Sequence, residues 1–228
     1  MKALLTTIAF ALILGGGSTF LWMYYGGFES EGSEAILFID TYGEYAETAE
    51  AVEMLVNVPG TENNTARAEL LNLLESILTK EMTPKKRDTL ARLAYKNLTI
   101  LEKEANAAQS AQAKLYEELQ KLDTAAKQFH SIDLQKRANE VVRLARKRAE
   151  LSARITAILS ETNEQTHAII TRILAEKGVL TQAHIIEIND TTVEAQSRFD
   201  TLENLYTQLL EKKNEAEIAF SAFVQVAI

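Results

Sequence analysis

The chain has 228 residues, a net charge of −8 and no cysteine, which excludes disulfides and thiolate metal sites and argues against general nucleic-acid binding. Only two prolines occur, Pro59 and Pro84, and every glycine except Gly178 lies at or before position 60. Because glycine and proline interrupt helices and mark turns, this distribution predicts long helices and disfavours a sheet of short strands. The sequence therefore predicts an all-α protein.

The first 28 residues are predicted to form a membrane anchor. The uncharged segment from Ala3 to Tyr25 has the length of one helix that crosses a bilayer core of about 30 Å. Trp22, Tyr24 and Tyr25 end this segment and suit the headgroup layer. Small residues at every fourth position form a face against which a second helix could pack: Thr7, Ala11, Gly15 and Thr19.

A cleaved signal peptide is the alternative interpretation of the same segment. Residues 4–14 are apolar, and the glycines at 15–17 resemble a cleavage site, so residues 1–17 could be removed. Lys2 precedes the apolar segment and the next base is Arg67, which predicts a cytoplasmic N-terminus. Both interpretations place the bulk of the chain in the periplasm or outside the cell.

Residues 29–83 are predicted to form an acidic juxtamembrane hairpin of two shorter helices. Between Glu29 and Glu62 there are nine acids and no Lys or Arg. The first helix is predicted from Ser33, as its N-cap, to Val58, and the second from about 65 to 82. These helices could add a fourth layer to a bundle or form a neck beside the membrane. The first has apolar or small residues spaced three and four apart: Ala35, Phe38, Tyr42, Tyr45, Ala49, Val52 and Val56.

Residues 84–228 are predicted to form a three-helix coiled-coil rod, from helices at 84–129, 131–177 and 181–227. The first helix is expected to start after a Thr83 cap and to bury Leu90, Leu93 and Asn97. The apolar row then changes phase by about 120°, which predicts a turn at residues 130–133. Gly178 is predicted to end the second helix as a left-handed cap. The third helix has an apolar repeat typical of coiled coils, so the fold class is a long antiparallel bundle after a single transmembrane helix.

The sequence contains little that points to catalysis. Glu164 and His167 have the Glu-x-x-His spacing of carboxylate-bridged metal bundles, but no second copy of the motif occurs. No nucleophile motif or phosphate-binding glycine loop is present, and there are only three histidines. We therefore expect no enzyme activity, no metal and no cofactor.

Two groups of residues are candidates for contact with a protein partner. Phe220, Phe223 and Ile228 lie in the apolar C-terminal segment. The second group is a basic stripe on the helix at 131–177, whose members are separated by 7, 4 and 7 residues: Lys136, Arg143, Lys147 and Arg154. This stripe is either a solvated face, balanced by nearby acids, or a docking face for the chain's own acidic region or for another anionic partner.

These features predict a membrane-anchored, extracytoplasmic coiled-coil protein that acts as a structural or scaffold subunit of an envelope or surface assembly. Its partners would be the membrane, through one N-terminal span, and a protein or a second copy of itself through the helix faces. The alternative is a ligand-sensing bundle, since the layout resembles the sensory ectodomains of bacterial receptors. The resemblance is limited, because the segment after Glu217 is too short for a second span.

Overall fold

The computed structural model describes residues 30–56, 62–77 and 82–227, and it confirms the all-α prediction for them, since they contain no strand. None of the described helices is long and apolar enough to cross a membrane. The predicted span, with its packing face and aromatic belt, lies outside the described residues, as does Ile228. The structure has these helices in chain order: α1 (Ser30–Val56), α2 (Glu62–Ile77), α3 (Pro84–Ala126), α4 (Ile132–Ala175) and α5 (Gln182–Ala227).

Helix α1 buries the apolar stripe that its sequence predicts. All seven stripe residues, from Ala35 to Val56, are buried. The predicted N-cap is wrong, because α1 begins at Ser30 and Ser33 lies inside its first turn. Serine is tolerated in the first turn of a helix, so a residue of the N-cap type does not by itself determine where the helix begins. Helix α2 begins earlier than predicted, at Glu62, and its described part extends to Ile77.

Helix α3 begins as predicted but buries a different row of residues at its start. The Thr83 hydroxyl accepts a hydrogen bond from the Lys86 amide at 3.4 Å, which confirms the cap. Leu93 is 49% exposed, so its predicted burial is wrong. The buried residues are Ala91, Ala94 and Leu98, one position further along the chain. Alanine has a small side chain, so a neighbouring helix can approach the row that contains Ala91 and Ala94 more closely than the row that contains Leu93.

The turn between α3 and α4 occupies residues 127–131 and overlaps the predicted turn at 130–133, of which residues 132 and 133 belong to α4. Ser131 caps α4: its carbonyl accepts a hydrogen bond from the Gln135 amide at 2.9 Å, and its hydroxyl accepts one from Leu134 at 3.5 Å. The phase change of the apolar row therefore located a turn that contains neither glycine nor proline.

Gly178 lies in the turn after α4, one residue beyond the left-handed cap that it was predicted to supply. Lys177 has a φ of 50° and its amide donates to the Leu174 carbonyl at 3.1 Å, while Gly178 has a φ of 76° and its amide donates to the Ile173 carbonyl at 2.9 Å; these two bonds are those of a Schellman motif. A Cβ on Gly178 would lie 2.1 Å from the Pro84 carbonyl oxygen and 2.8 Å from the Asp88 amide nitrogen. The glycine is therefore required by its conformation and by the start of α3 packed against it.

The described residues form two compact units, and the three long helices contribute to both. Unit 1 contains residues 30–52, 111–152 and 208–227. Its core is formed by α1, α3, α4 and α5, so α1 supplies a fourth helix to this unit. The aromatic end of the core includes Phe38 and Phe223, whose ring centroids are 4.7 Å apart, and Phe129, which is 5.5 Å from Phe223.

Unit 2 contains residues 53–56, 62–77, 82–110 and 153–207. Its core combines α2 with the corresponding parts of α3, α4 and α5. Arg87 is buried here and donates to the Ile77 carbonyl at 2.9 Å and to the Gly178 carbonyl at 3.0 Å. This guanidinium satisfies backbone acceptors at the ends of two segments, which fixes α2 and the Gly178 turn against α3.

Candidate interaction surfaces

The two C-terminal phenylalanines predicted as partner contacts belong to the core of unit 1. Phe220 is 7% exposed and Phe223 is fully buried. Phe220 stacks on Tyr42 of α1, with ring centroids 3.9 Å apart, and Phe223 packs on Phe38. The prediction is wrong for both rings, because α1 covers the face of α5 that the sequence interpretation left for a partner.

The basic stripe of α4 is exposed along its whole length. Lys136, Arg143, Lys147 and Arg154 all lie on the surface of the helix. Arg143 donates two hydrogen bonds to Glu140, at 2.7 and 2.5 Å, and this hydrogen bonding lowers the pKa of the Glu140 carboxyl.

The other three cations of the stripe have no carboxylate within 4 Å in the part of the chain that the structure describes. None of the four stripe residues forms an ion pair with a described acid of α1. Docking of the stripe onto the chain's own acidic helix is therefore absent among the described residues. The stripe remains available on the surface.

Helix α1 carries a ridge of acids on the side away from the core, formed by the half-buried Asp40 and the exposed Glu44 and Glu47. The spacing of four and three residues places them together, opposite the buried stripe. The three acids recur at the same helical spacing as the apolar stripe, so the periodicity of the sequence also contains the signal for this face. The described part of α1 contains seven acids and no base, so the ridge has no cation within its own helix.

The pKa of Asp40 reports the cost of this arrangement. Partial burial raises the pKa of the Asp40 carboxyl, and the negative charge of Glu44 raises it further. The ionised carboxylate is therefore less favourable in the folded chain than in the unfolded chain. The pKa of Lys121 in α3 is raised mainly by a hydrogen bond to Glu118. The negative charge of Glu44 raises it further.

Asp40→Asn is expected to stabilise the fold at neutral pH. A group whose folded pKa is raised favours folding when protonated, and this contribution is lost as the pH rises through that pKa. The neutral amide removes the penalty, so the variant should melt at a higher temperature than the parent at pH 7. The gain should vanish near pH 3, below the ordinary value of 3.8, where both chains are neutral at this position. Thermal unfolding at the two pH values measures the effect, and a lower melting temperature at pH 7 would contradict the assignment.

The acid ridge and the part of the basic stripe from Lys136 to Lys147 lie on opposite sides of unit 1. The Tyr45 hydroxyl donates a buried hydrogen bond to the Ala145 carbonyl at 2.7 Å, which joins the inner faces of α1 and α4. Ala145 is two residues from both Arg143 and Lys147, about 200° around the helix from each. Glu47 is likewise two residues from Tyr45. The two charged faces therefore point away from each other.

The histidine of the Glu-x-x-His motif contacts a neighbouring helix in the structure. His167 of α4 lies 2.6 Å from the Glu102 carboxylate of α3, and the edge of the Tyr95 ring meets the imidazole. No group of three metal-ligating side chains occurs among the residues that the structure describes. Each of the other two histidines also lies beside a glutamate: His130 beside Glu34 and His184 beside Glu176.

Unit 2 contains a small crevice between α4 and α5. It is lined by apolar residues of α4 and α5, including Ile169 and Ile188, together with Arg172 and His184. Its volume is about 10 Å³, which accommodates a single water molecule. Small-molecule sites are larger by more than tenfold, at about 300–1,000 Å³. The crevice gives no support to the ligand-sensing alternative.

The chain matches no protein-family model, and no curated protein and no solved structure shows significant similarity to it.

Proposed function

We propose that this chain is a membrane-anchored, extracytoplasmic coiled-coil protein that acts through protein–protein contact, as a structural or scaffold subunit of an envelope or surface assembly. The observation that carries the proposal is the exposed basic stripe of α4, in which Lys136, Lys147 and Arg154 have no carboxylate within 4 Å among the described residues, while the charge of Lys147 acts on Glu140 at a longer distance. The anchor is supported by the uncharged segment at residues 3–25 and by Lys2 before it.

A stripe of this kind suits a protein surface of opposite charge. Positive charges aligned along one side of a helix steer an acidic partner and set its register. Arg143 is held by Glu140, which fixes the guanidinium near the middle of the stripe. The cores on which this helix rests are filled by the chain's own apolar side chains, so the stripe is presented by a packed scaffold.

Reversal of the stripe tests the proposal. We expect the full-length chain with K136E, R143E, K147E and R154E to lose the proteins that co-purify with the parent from detergent-solubilised membranes. A matched control reverses four other exposed lysines that have no described carboxylate within 4 Å: K85E, K96E, K103E and K114E on α3. Both variants change the net charge equally, so a general effect of charge would affect them alike.

The outcomes separate the proposal from its competitors. Retention of co-purifying proteins by the control and their loss from the stripe variant support a docking face on α4. Equal recovery of partners by both variants would contradict it. The anchor has its own readout, since the full-length chain should float with lipid vesicles after reconstitution and should be extracted only by detergent.

A further inference from the structure

We propose that the partner of the basic stripe is a second copy of this chain, which presents the acid ridge of its α1 to the α4 of its neighbour. The inference deepens the proposed function and rests on it, because it identifies the protein that the stripe contacts. Two surfaces of unit 1 have complementary charges and do not meet within one chain, namely the acid ridge and the part of the basic stripe from Lys136 to Lys147.

The charge of unit 1 is divided between its helices. The part of α1 in this unit, residues 30–52, contains six acids and no base. Residues 111–152 of α3 and α4 contain nine bases and six acids. The segment of α1 is therefore negative and the segment of α3 and α4 has a small excess of positive charge, to which the exposed stripe contributes, and opposite charges favour association of two copies over contact of like faces.

The direction of the two faces determines the kind of assembly. The ridge and the stripe point away from each other, because the Tyr45–Ala145 hydrogen bond connects the inner sides of the two helices. A copy that binds one neighbour through its stripe keeps its ridge free for another neighbour. Such a contact is heterologous, so it builds a ring or an open chain of copies and not a closed two-fold dimer.

The dimensions of the two faces agree. The ridge from Asp40 to Glu47 extends about 10 Å along α1 at 1.5 Å per residue, and Lys136 to Lys147 extends about 16 Å along α4. The three acids can therefore lie within the length of the stripe. A cation supplied by the neighbouring copy would also offset the repulsion between Asp40 and Glu44, which one chain leaves in place.

Two reversed variants of the full-length chain test the inference in detergent at low salt. The first carries K136E, R143E, K147E and R154E, so both of its faces are acidic. The second carries D40K, E44K and E47K, so both of its faces are basic. We expect the parent to form species larger than one copy in sedimentation velocity. Each variant alone should self-associate at least about tenfold more weakly, because like charges then face each other.

Mixing the two variants provides the decisive result. Each acidic face in the mixture meets a basic face of the other variant, so assemblies that contain both chains should form again. They should dissociate as the salt concentration rises, because exposed ion pairs are screened. Circular dichroism of each variant establishes that the helices are intact before mixing.

A parent chain that stays monomeric at low salt would overturn the inference, as would a variant that self-associates as strongly as the parent. A mixture that does not assemble would overturn it as well. These failures differ from failure of the proposed function: a chain that loses its membrane partners on stripe reversal, yet never binds itself, docks on a different acidic protein. A chain whose co-purification is unaffected by stripe reversal would refute the proposed function itself.

Discussion

Gly178→Ala is expected to destabilise the chain by about 3 kcal/mol or more, since it combines backbone strain with a steric clash. The glycine has a φ of 76°, which a residue with a Cβ adopts only at a cost. The added methyl carbon would also meet the Pro84 carbonyl at 2.1 Å. Relief of that contact requires the start of α3 to move, which strains the bonds from Arg87 to Ile77 and to Gly178.

Gly43→Ala is the matched control. Gly43 lies inside α1, and a Cβ at this position would meet no atom within 4 Å beyond the neighbouring residues and backbone of its own helix. Alanine is favoured over glycine in a helix by about 0.8–1.0 kcal/mol, so this variant should be slightly more stable than the parent. Urea or thermal unfolding of the two variants compares them directly. Equal effects would show that the conformation and surroundings of Gly178 are not what makes that glycine necessary.

Phe223→Ala should destabilise unit 1 by about 3–5 kcal/mol, the usual range for removing a buried phenylalanine. The ring is fully buried between Phe38 and Phe129. The alanine would leave a cavity between α1, α5 and the turn after α3, and partial collapse would recover only part of the lost packing.

Ile218→Ala controls for the loss of an apolar side chain from the same helix. Ile218 is 70% exposed, so its truncation should change the stability by less than about 0.5 kcal/mol. Hydrogen exchange of the amides in residues 30–52 would show whether α1 loosens in the Phe223 variant. If the Phe223 variant unfolds like the parent, the assignment of this ring to the core is incorrect.

Much of the fold could be predicted from local patterns. The predicted burial of the apolar stripe of α1 is confirmed at every position, because its apolar and small side chains recur at helical spacing. Gly178 and the turn after α3 were located by a cap residue and by a change of phase, which are also local signals. The burial of Ala91 and not Leu93 was missed, because periodicity does not determine which of two adjacent rows faces a neighbouring helix.

The candidate surfaces differ in how much of them local spacing can predict. The basic stripe follows from spacing within one helix, and the structure leaves it exposed. The burial of Phe220 and Phe223 depends on α1, which precedes them by about 180 residues in the chain. Packing between segments so distant in sequence is not encoded in the pattern of either one.

A photocrosslinking amino acid at Asn139 tests the central claim most directly. Asn139 is exposed on α4 between Lys136 and Arg143, and Gln120 on α3 is an exposed control in the same unit. With the full-length chain in membranes, illumination should link position 139, and not position 120, to a protein partner, and stripe reversal should abolish the product. Absence of any protein adduct at position 139, or equal yields at both positions, would contradict the claim that this chain works through a docking face on α4.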